Sequence, residues 1–350
     1  MDFDYLVFIG RFEPFHNGHA AVARLALQRA RKVVVLVGSA DTPRTTRNPW
    51  TVAERAVMIQ SAFPDDAHRL LIRGLRDHLY NEAQWIASVQ RLVAEAIEAD
   101  PDRPAQPRIG LIGKDKDASS YYLREFPQWP LVDVKHTETL SATELRRYLF
   151  DANHVNSHGG LMLIRANVPG PVYEMLDAFR RVSPAFNQLV AEYQFIEQYR
   201  AAWAHAPYPP TFVTTDAVVV HSGHVLLVRR RAEPGKGLWA LPGGFVDQTE
   251  TLLDSCLREL REETRLKLPL PVLKGSLKQT RVFDHPERSQ RGRTITHAFH
   301  FDFPSGDLPA VRGGDDADKA RWIALGEALE MGPQLFEDHL SIIEYFVGRG

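Results

Sequence analysis

Apolar positions fall into continuous runs in the first part of the chain. Residues 5–9 (YLVFI) form a short apolar strand, and residues 33–37 (VVVLV) are a continuous β-branched run of the kind buried on both faces of a parallel sheet, with residues 108–113 supplying another. The first run passes through a turn, residues 10–19 (GRFEPFHNGH), into an alanine-rich helix over 20–30. Strands alternating with helices predict an α/β unit with a doubly wound sheet and a ligand at the strands' carboxyl ends. The turn from Gly10 to His19 lies at such an end.

Further along, the period changes. Val172, Met175, Leu176, Phe179 and Val182 repeat at helical spacing, as do Phe186, Leu189, Val190, Tyr193 and Ile196, with Ser183 and Pro184 breaking the two. These helices are expected to pack on the first unit. Pro207, Pro209 and Pro210 then stiffen a connector, which puts a domain boundary near residue 205 and divides the chain into 1–205 and 206–350. Beyond it, residues 217–220 and 224–228 flank Ser222 and Gly223 as a hairpin, and residues 239–245 (WALPGGF) lead into an amphipathic helix opened by Asp247 or Thr249. Leu253, Leu257 and Leu260 share one face of that helix, and Glu259, Glu262 and Glu263 share another. The layout predicts a central sheet sandwiched by helices.

Composition narrows the function. The 350 residues are 44% hydrophobic and 25% charged, an ordinary globular balance long enough for two cores. A net charge of −2 argues against a broad nucleic-acid surface, so phosphate recognition should be local. The single cysteine, Cys256, fits a reducing compartment, the start lacks a basic leader region, and no apolar run approaches the ~20 residues of a bilayer span. The expectation is a cytoplasmic enzyme without nucleic-acid or membrane partners; a homo-oligomer stays open.

Two clusters carry chemistry. Three carboxylates on one helical stripe, with Arg258 and Arg261 flanking rather than diluting them, form a divalent-cation site of hard oxygen donors suited to Mg2+, with Mn2+ as the other candidate. His16 and His19 stand three apart at a helix mouth, where unpaired N–H groups favour an anion. They read as phosphate ligands; a shared metal and a purely structural pair are the competing readings. Ser141 is placed to cap a helix, with Glu144 completing a capping box.

The run from Gly244 through Glu250 to Arg258, Glu259, Leu260, Glu262, Glu263 and Leu266 resembles the Nudix box, with Arg265 in place of the usual glycine. That resemblance implies hydrolysis of a nucleoside diphosphate linked to another moiety, with Glu259, Glu262 and Glu263 as metal ligands. The polar segment 283–296 resembles that of Nudix proteins directed at ADP-ribose, which implies contacts from Gly244, Arg258, Asp284, Arg288 and Arg291. Gly313 to Asp318 adds an acidic cluster, read either as a plain turn or as support for metal or catalytic base.

His16-x-Gly18-His19 and the Leu140, Ser141, Thr143, Arg146 segment resemble the two signatures of the nucleotidylyltransferase superfamily. Gly38, Asp41, Arg47, Trp50, Glu54 and Arg55 resemble the archaeal-type nicotinamide-mononucleotide adenylyltransferases across residues 5 to 150. The resemblance implies ATP contacts from Gly10, Arg11, His16, His19, Arg47, Ser141, Thr143 and Arg146, with His16, His19 and Arg146 catalytic. Tyr80, Asn81 and Trp85 would lie by the nicotinamide nucleotide, although Trp85 equally suits a core.

Over nearly its whole length the chain resembles the bifunctional nicotinamide-mononucleotide adenylyltransferase/Nudix hydrolases. The implied fold is α/β, a Rossmann-like nucleotidylyltransferase domain followed by a Nudix αβα sandwich. The implied substrates are ATP, nicotinamide mononucleotide and ADP-ribose. A Nudix domain that only senses ADP-ribose or NAD is the alternative. A first domain acting on nicotinate or pantetheine nucleotides is another.

Overall fold

The structure is a computed structural model that describes residues 1–113, 118–134, 140–151, 153–155, 157–314 and 317–348. The chain forms two compact units, Met1–Tyr193 and Gln194–Gly350.

In the first unit, strands β1 (Phe3–Gly10), β2 (Ala30–Val37), β3 (Leu70–Gly74), β4 (Ile109–Gly113) and β5 (Leu131–Asp133) form one sheet in the order β3-β2-β1-β4-β5. All its pairings are parallel. This buries both faces, and Leu6, Val7, Val33, Val34, Val35 and Leu36 are fully enclosed, as their β-branched runs require. Connecting helices α1 (Asn17–Arg29), α2 (Val52–Ser61), α3 (Glu82–Glu98) and α4 (Ala142–Phe150) are followed by α5 (His158–Asn167), α6 (Gly170–Val182) and α7 (Pro184–Ala202). Strand order reverses between β1 and β4, so a crevice opens at the carboxyl end of β1, beside Gly10.

Ser183 separates α6 from α7 as the sequence indicates. The division between units falls inside α7, ahead of residue 205, because Phe186 and Leu189 join the first core. Val182, expected at a packed position, is exposed.

The second unit has strands β6 (Thr211–His221), β7 (His224–Arg230), β8 (Trp239–Ala240), β9 (Gly243–Phe245), β10 (Leu277–Phe283), β11 (Arg293–Phe303) and β12 (Ala317–Ala324). Its helices are α8 (Leu252–Thr264), α9 (Leu270–Gly275), α10 (Leu325–Ala328) and α11 (His339–Phe346). The mixed sheet runs β10-β11-β6-β7-β12, with β8 on β7 and β9 on β6. Ser222 and Gly223, both at positive φ, close the β6–β7 hairpin. Buried Leu257 and Leu260 seat α8 on the core with Cys256.

Helix α8 begins later than expected. Thr251 is its N-cap, accepting from Asp254 N, so neither Asp247 nor Thr249 opens it. Its end is as the Nudix pattern would have it despite Arg265, which adopts the left-handed conformation (φ 52°, ψ 27°) usually left to glycine and donates its N–H to Arg261 O. No helix among the described residues is long and apolar enough to cross a membrane.

Candidate active sites

At the carboxyl end of β1 the chain is folded tightly. A Cβ on Gly10 would meet the Phe12 ring at 2.9 Å, so only glycine admits the return of Phe12, itself at φ 58°. His16 caps α1: its Nδ1 accepts from Gly18 N at 3.1 Å, and His19 Nδ1 accepts from His16 N at 3.4 Å. The rings stack with centroids 3.7 Å apart, and Phe12 and Phe15 hold His19 from the other sides. Because each Nδ1 is an acceptor, the neutral rings carry their protons on Nε2. Two N–H donors at a helix mouth are a phosphate-binding arrangement.

Arg146 comes from the first turns of α4. It is buried, and its Nη1 donates to Glu13 O at 2.5 Å and its Nη2 to Thr143 Oγ1 at 3.2 Å. Its pKa is lowered to about 10, first by burial, then by Arg11, with Glu13 opposing and Arg47 adding to the repulsion. Arg11 and Arg47 thus lie near enough for their charge to act on Arg146, a repulsion that an anion would relieve. Ser141 caps α4, accepting from Glu144 N and donating to Glu144 Oε2 at 2.8 Å, so its hydroxyl and that of Thr143 are both engaged within the helix.

Arg55, singled out in the sequence only as part of a motif, forms a buried brace. Arg55 donates from Nη1 to Arg11 O and to Gly38 O, both at 2.7 Å, and from Nη2 to Ser39 O, while its Nε lies 3.2 Å from Glu13 Oε1. Burial pushes the Glu13 carboxyl up, against the pull of Arg55 and of the Trp50 amide. The brace joins β1's turn to the end of β2, and no local spacing marks such a contact.

Of the residues expected near the mononucleotide, Asn81 caps α3, accepting from Gln84 N at 3.0 Å. Half-buried Trp85 packs edgewise on Tyr122 and tilts toward Phe126, an apolar wall of the same sheet face, and Tyr80 is half-buried in the preceding turn.

In the second unit the glutamates do not converge as the helical stripe suggested. Arg258, expected to flank them, holds them: Nε and Nη2 donate to Glu250 at 2.7 and 3.0 Å, and Nη1 to Glu259 at 2.9 Å and Glu262 at 3.0 Å. Glu250's hydrogen bond is the largest cause holding Arg258 in its charged form. Glu263 turns instead to Gly243 N, accepting at 3.0 Å. Among the described residues no group of three His, Cys, Asp or Glu side chains forms a metal cage.

The donor set nevertheless suits a divalent cation. All its atoms are hard carboxylate oxygens. Glycines keep room around them, for a Cβ on Gly244 would stand 2.5 Å from Glu259 Oε1. The Glu263 carboxyl is pushed up to about 8, first by loss of solvent and also by the charge of Glu259, against the Gly243 amide and Arg230. A cation there would relieve that strain.

The proposed ADP-ribose contacts separate. Arg291 lies 5.1 Å over the Phe245 ring, next to Gly244. Asp284 is exposed and its carbonyl accepts from Arg293. Arg288 is placed apart from these: its side chain is 2% exposed and makes a two-pronged pair with Asp338 at 2.9 and 2.8 Å. Asp216 accepts from Thr296 Oγ1, and His339 Nδ1 accepts from Leu241 N, completing a buried polar group under β9 that sequence spacing did not reveal. In the acidic turn, Asp315 and Asp316 lie outside the described residues; Gly314 donates to Glu263 O, where a Cβ would collide with Glu262 O.

Known proteins agree with both halves. A cytidylyltransferase-like family model matches residues 7–147 and a NUDIX domain model residues 210–346. A nicotinamide/nicotinic acid mononucleotide adenylyltransferase from Acinetobacter baylyi is 35% identical over 190 residues, 53% of this chain and 97% of that protein. An ADP-ribose pyrophosphatase from Methanocaldococcus jannaschii is 36% identical over 135 residues, 39% of this chain and 72% of that protein. A crystal structure of a bifunctional NMN adenylyltransferase/ADP ribose pyrophosphatase from Francisella tularensis superposes with TM-score 0.88 at 35% identity, covering 99% of both chains. A second structure of a Francisella tularensis protein of that description, complexed with AMP and a manganese ion, gives 0.87 at 34% identity. With both halves and nearly the whole length matched, the chain belongs to the bifunctional NMN adenylyltransferase/ADP-ribose pyrophosphatase family.

Proposed function

We propose that the chain is a two-site enzyme of NAD metabolism. Residues 1–205 transfer an adenylyl group from ATP to nicotinamide mononucleotide, giving NAD and pyrophosphate. Residues 206–350 hydrolyse ADP-ribose to AMP and ribose 5-phosphate with Mg2+, Mn2+ being able to replace it. The observation that carries the reading is that each unit holds its own charged centre: a guanidinium cluster beside a histidine-capped helix mouth, and a carboxylate set around Arg258.

In the transferase, the mononucleotide phosphate attacks the α-phosphorus of ATP in line and pyrophosphate leaves. The nucleophile is already an anion, so the protein supplies position and charge rather than a base. Nε2–H groups of His16 and His19 donate to phosphate oxygens, and Arg11, Arg47 and Arg146 offset charge on the leaving group. Arg55 fixes the backbone that carries Arg11. Tyr80, Asn81 and Trp85 border the mononucleotide.

In the hydrolase, Glu259, Glu262 and Glu263 hold a divalent cation, which when bound supplies Lewis-acid charge neutralisation and an activated water. Arg258 sets the direction of Glu259 and Glu262, and the Gly243 amide fixes Glu263. Arg291 over Phe245 binds the pyrophosphate by a planar fork.

Incubating the purified chain with Mg2+ and ADP-ribose, and separately with Mg2+, ATP and the mononucleotide, tests the reading. AMP and NAD are the expected products. Tight ADP-ribose binding without AMP would make the second unit a sensor instead.

A further inference from the structure

Neighbouring arginines on β7 serve opposite faces of the second sheet. Alternation along a strand sends Arg229 and Arg230 to different sides. Arg230 belongs to the side of the glutamates, where its charge acts on Glu263. Arg229 is paired across the sheet with Lys319 of β12 and with Trp239 of β8. Residues directly opposite in antiparallel strands share a face, so the three form a row. Arg321, two residues beyond Lys319, joins the same side.

With Gln334 and the backbone of Gly237, these four side chains line a cavity of about 300 Å3. Among the described residues that line it there are three cations and no carboxylate. Arg229 is oriented by the bond from its Nε to Gly237 O at 3.1 Å. Gly237 has φ 86°, a left-handed backbone that favours glycine, so the carbonyl that accepts from Arg229 is held by a glycine turn. Lys319 and Arg321 are exposed, and among the described residues neither is in an ion pair.

We propose that this cavity is an anion site separate from the glutamates, which takes a nucleoside monophosphate with its phosphate on the cations and its base against Trp239. Three converging like charges repel one another until an anion joins them. A planar indole beside them selects an anion that carries a ring. The volume lies at the lower end for small-ligand sites, which suits one nucleotide rather than two.

The test is calorimetric titration of the full chain with AMP in metal-free buffer containing EDTA, comparing wild type with Lys319→Ala/Arg321→Ala. Wild type is expected to bind one AMP more than the variant, with that site preferring AMP over ribose 5-phosphate by about tenfold because only AMP brings a base. Both enzymatic rates, assayed at low AMP, should be the same in the two proteins. Superimposable isotherms would overturn the proposal, as would equal affinity of the lost site for ribose 5-phosphate. A failure of ADP-ribose hydrolysis would leave this titration unaffected, because the substituted residues lie across the sheet from Glu263.

Discussion

Arg258 grips Glu250 with two parallel hydrogen bonds, Nε at 2.7 Å and Nη2 at 3.0 Å, and uses its remaining nitrogen, Nη1, on Glu259 and Glu262. One guanidinium thus sets three carboxylates. A lysine keeps the charge but cannot reproduce the planar fork. Arg258→Lys is expected to lower ADP-ribose hydrolysis about tenfold to hundredfold, corresponding to the loss of one or two charge-assisted bonds. Steady-state AMP formation checks this, and an unchanged rate would show that Arg258 orients nothing the reaction needs.

Arg55 does comparable work in the first unit, tying Arg11 O, Gly38 O and Ser39 O together while facing Glu13. Arg55→Ala removes the side-chain donor to the Arg11 and Gly38 carbonyls and the cation beside the buried Glu13 carboxyl, and should cost about 3–5 kcal/mol. Urea unfolding followed by a probe in the first unit measures it. The ADP-ribose hydrolase should persist under conditions where NAD synthesis is lost.

Asp100 offers a pH-dependent test away from either centre. Burial pushes its carboxyl up, but hydrogen bonds from Lys32 and Tyr5, the Asp102 amide and the Lys32 charge outweigh that and hold it well below the usual range. A depressed folded pKa gives stability that is present above the unfolded value of about 3.9 and is lost as pH falls through the folded one. Wild type should therefore lose stability more steeply than Asp100→Asn below about pH 4. Parallel denaturation curves at neutral and acid pH would remove Asp100 from the account.

Local features were legible in the sequence. The Ser141–Glu144 capping box and the Ser222–Gly223 turn each involve residues within three positions, so spacing alone exposes them. The buried ion pair of Arg288 was not legible, because its partner Asp338 lies 50 positions away. The same distance effect hid the bracing role of Arg55, which reaches Arg11 across 44 positions. Helical periodicity correctly put Glu259 and Glu262 near each other, yet it says nothing of which way side chains turn, and the fourfold spacing from Arg258 to Glu262 settled that in favour of an ion pair.

The central claim is that two independent sites share one chain, and crossing two variants tests it most directly. His19→Ala should reduce NAD formation about a hundredfold or more and spare ADP-ribose hydrolysis, whereas Glu262→Gln should reduce hydrolysis roughly a thousandfold and spare NAD formation. Loss of both activities in either folded variant would contradict the two-site account.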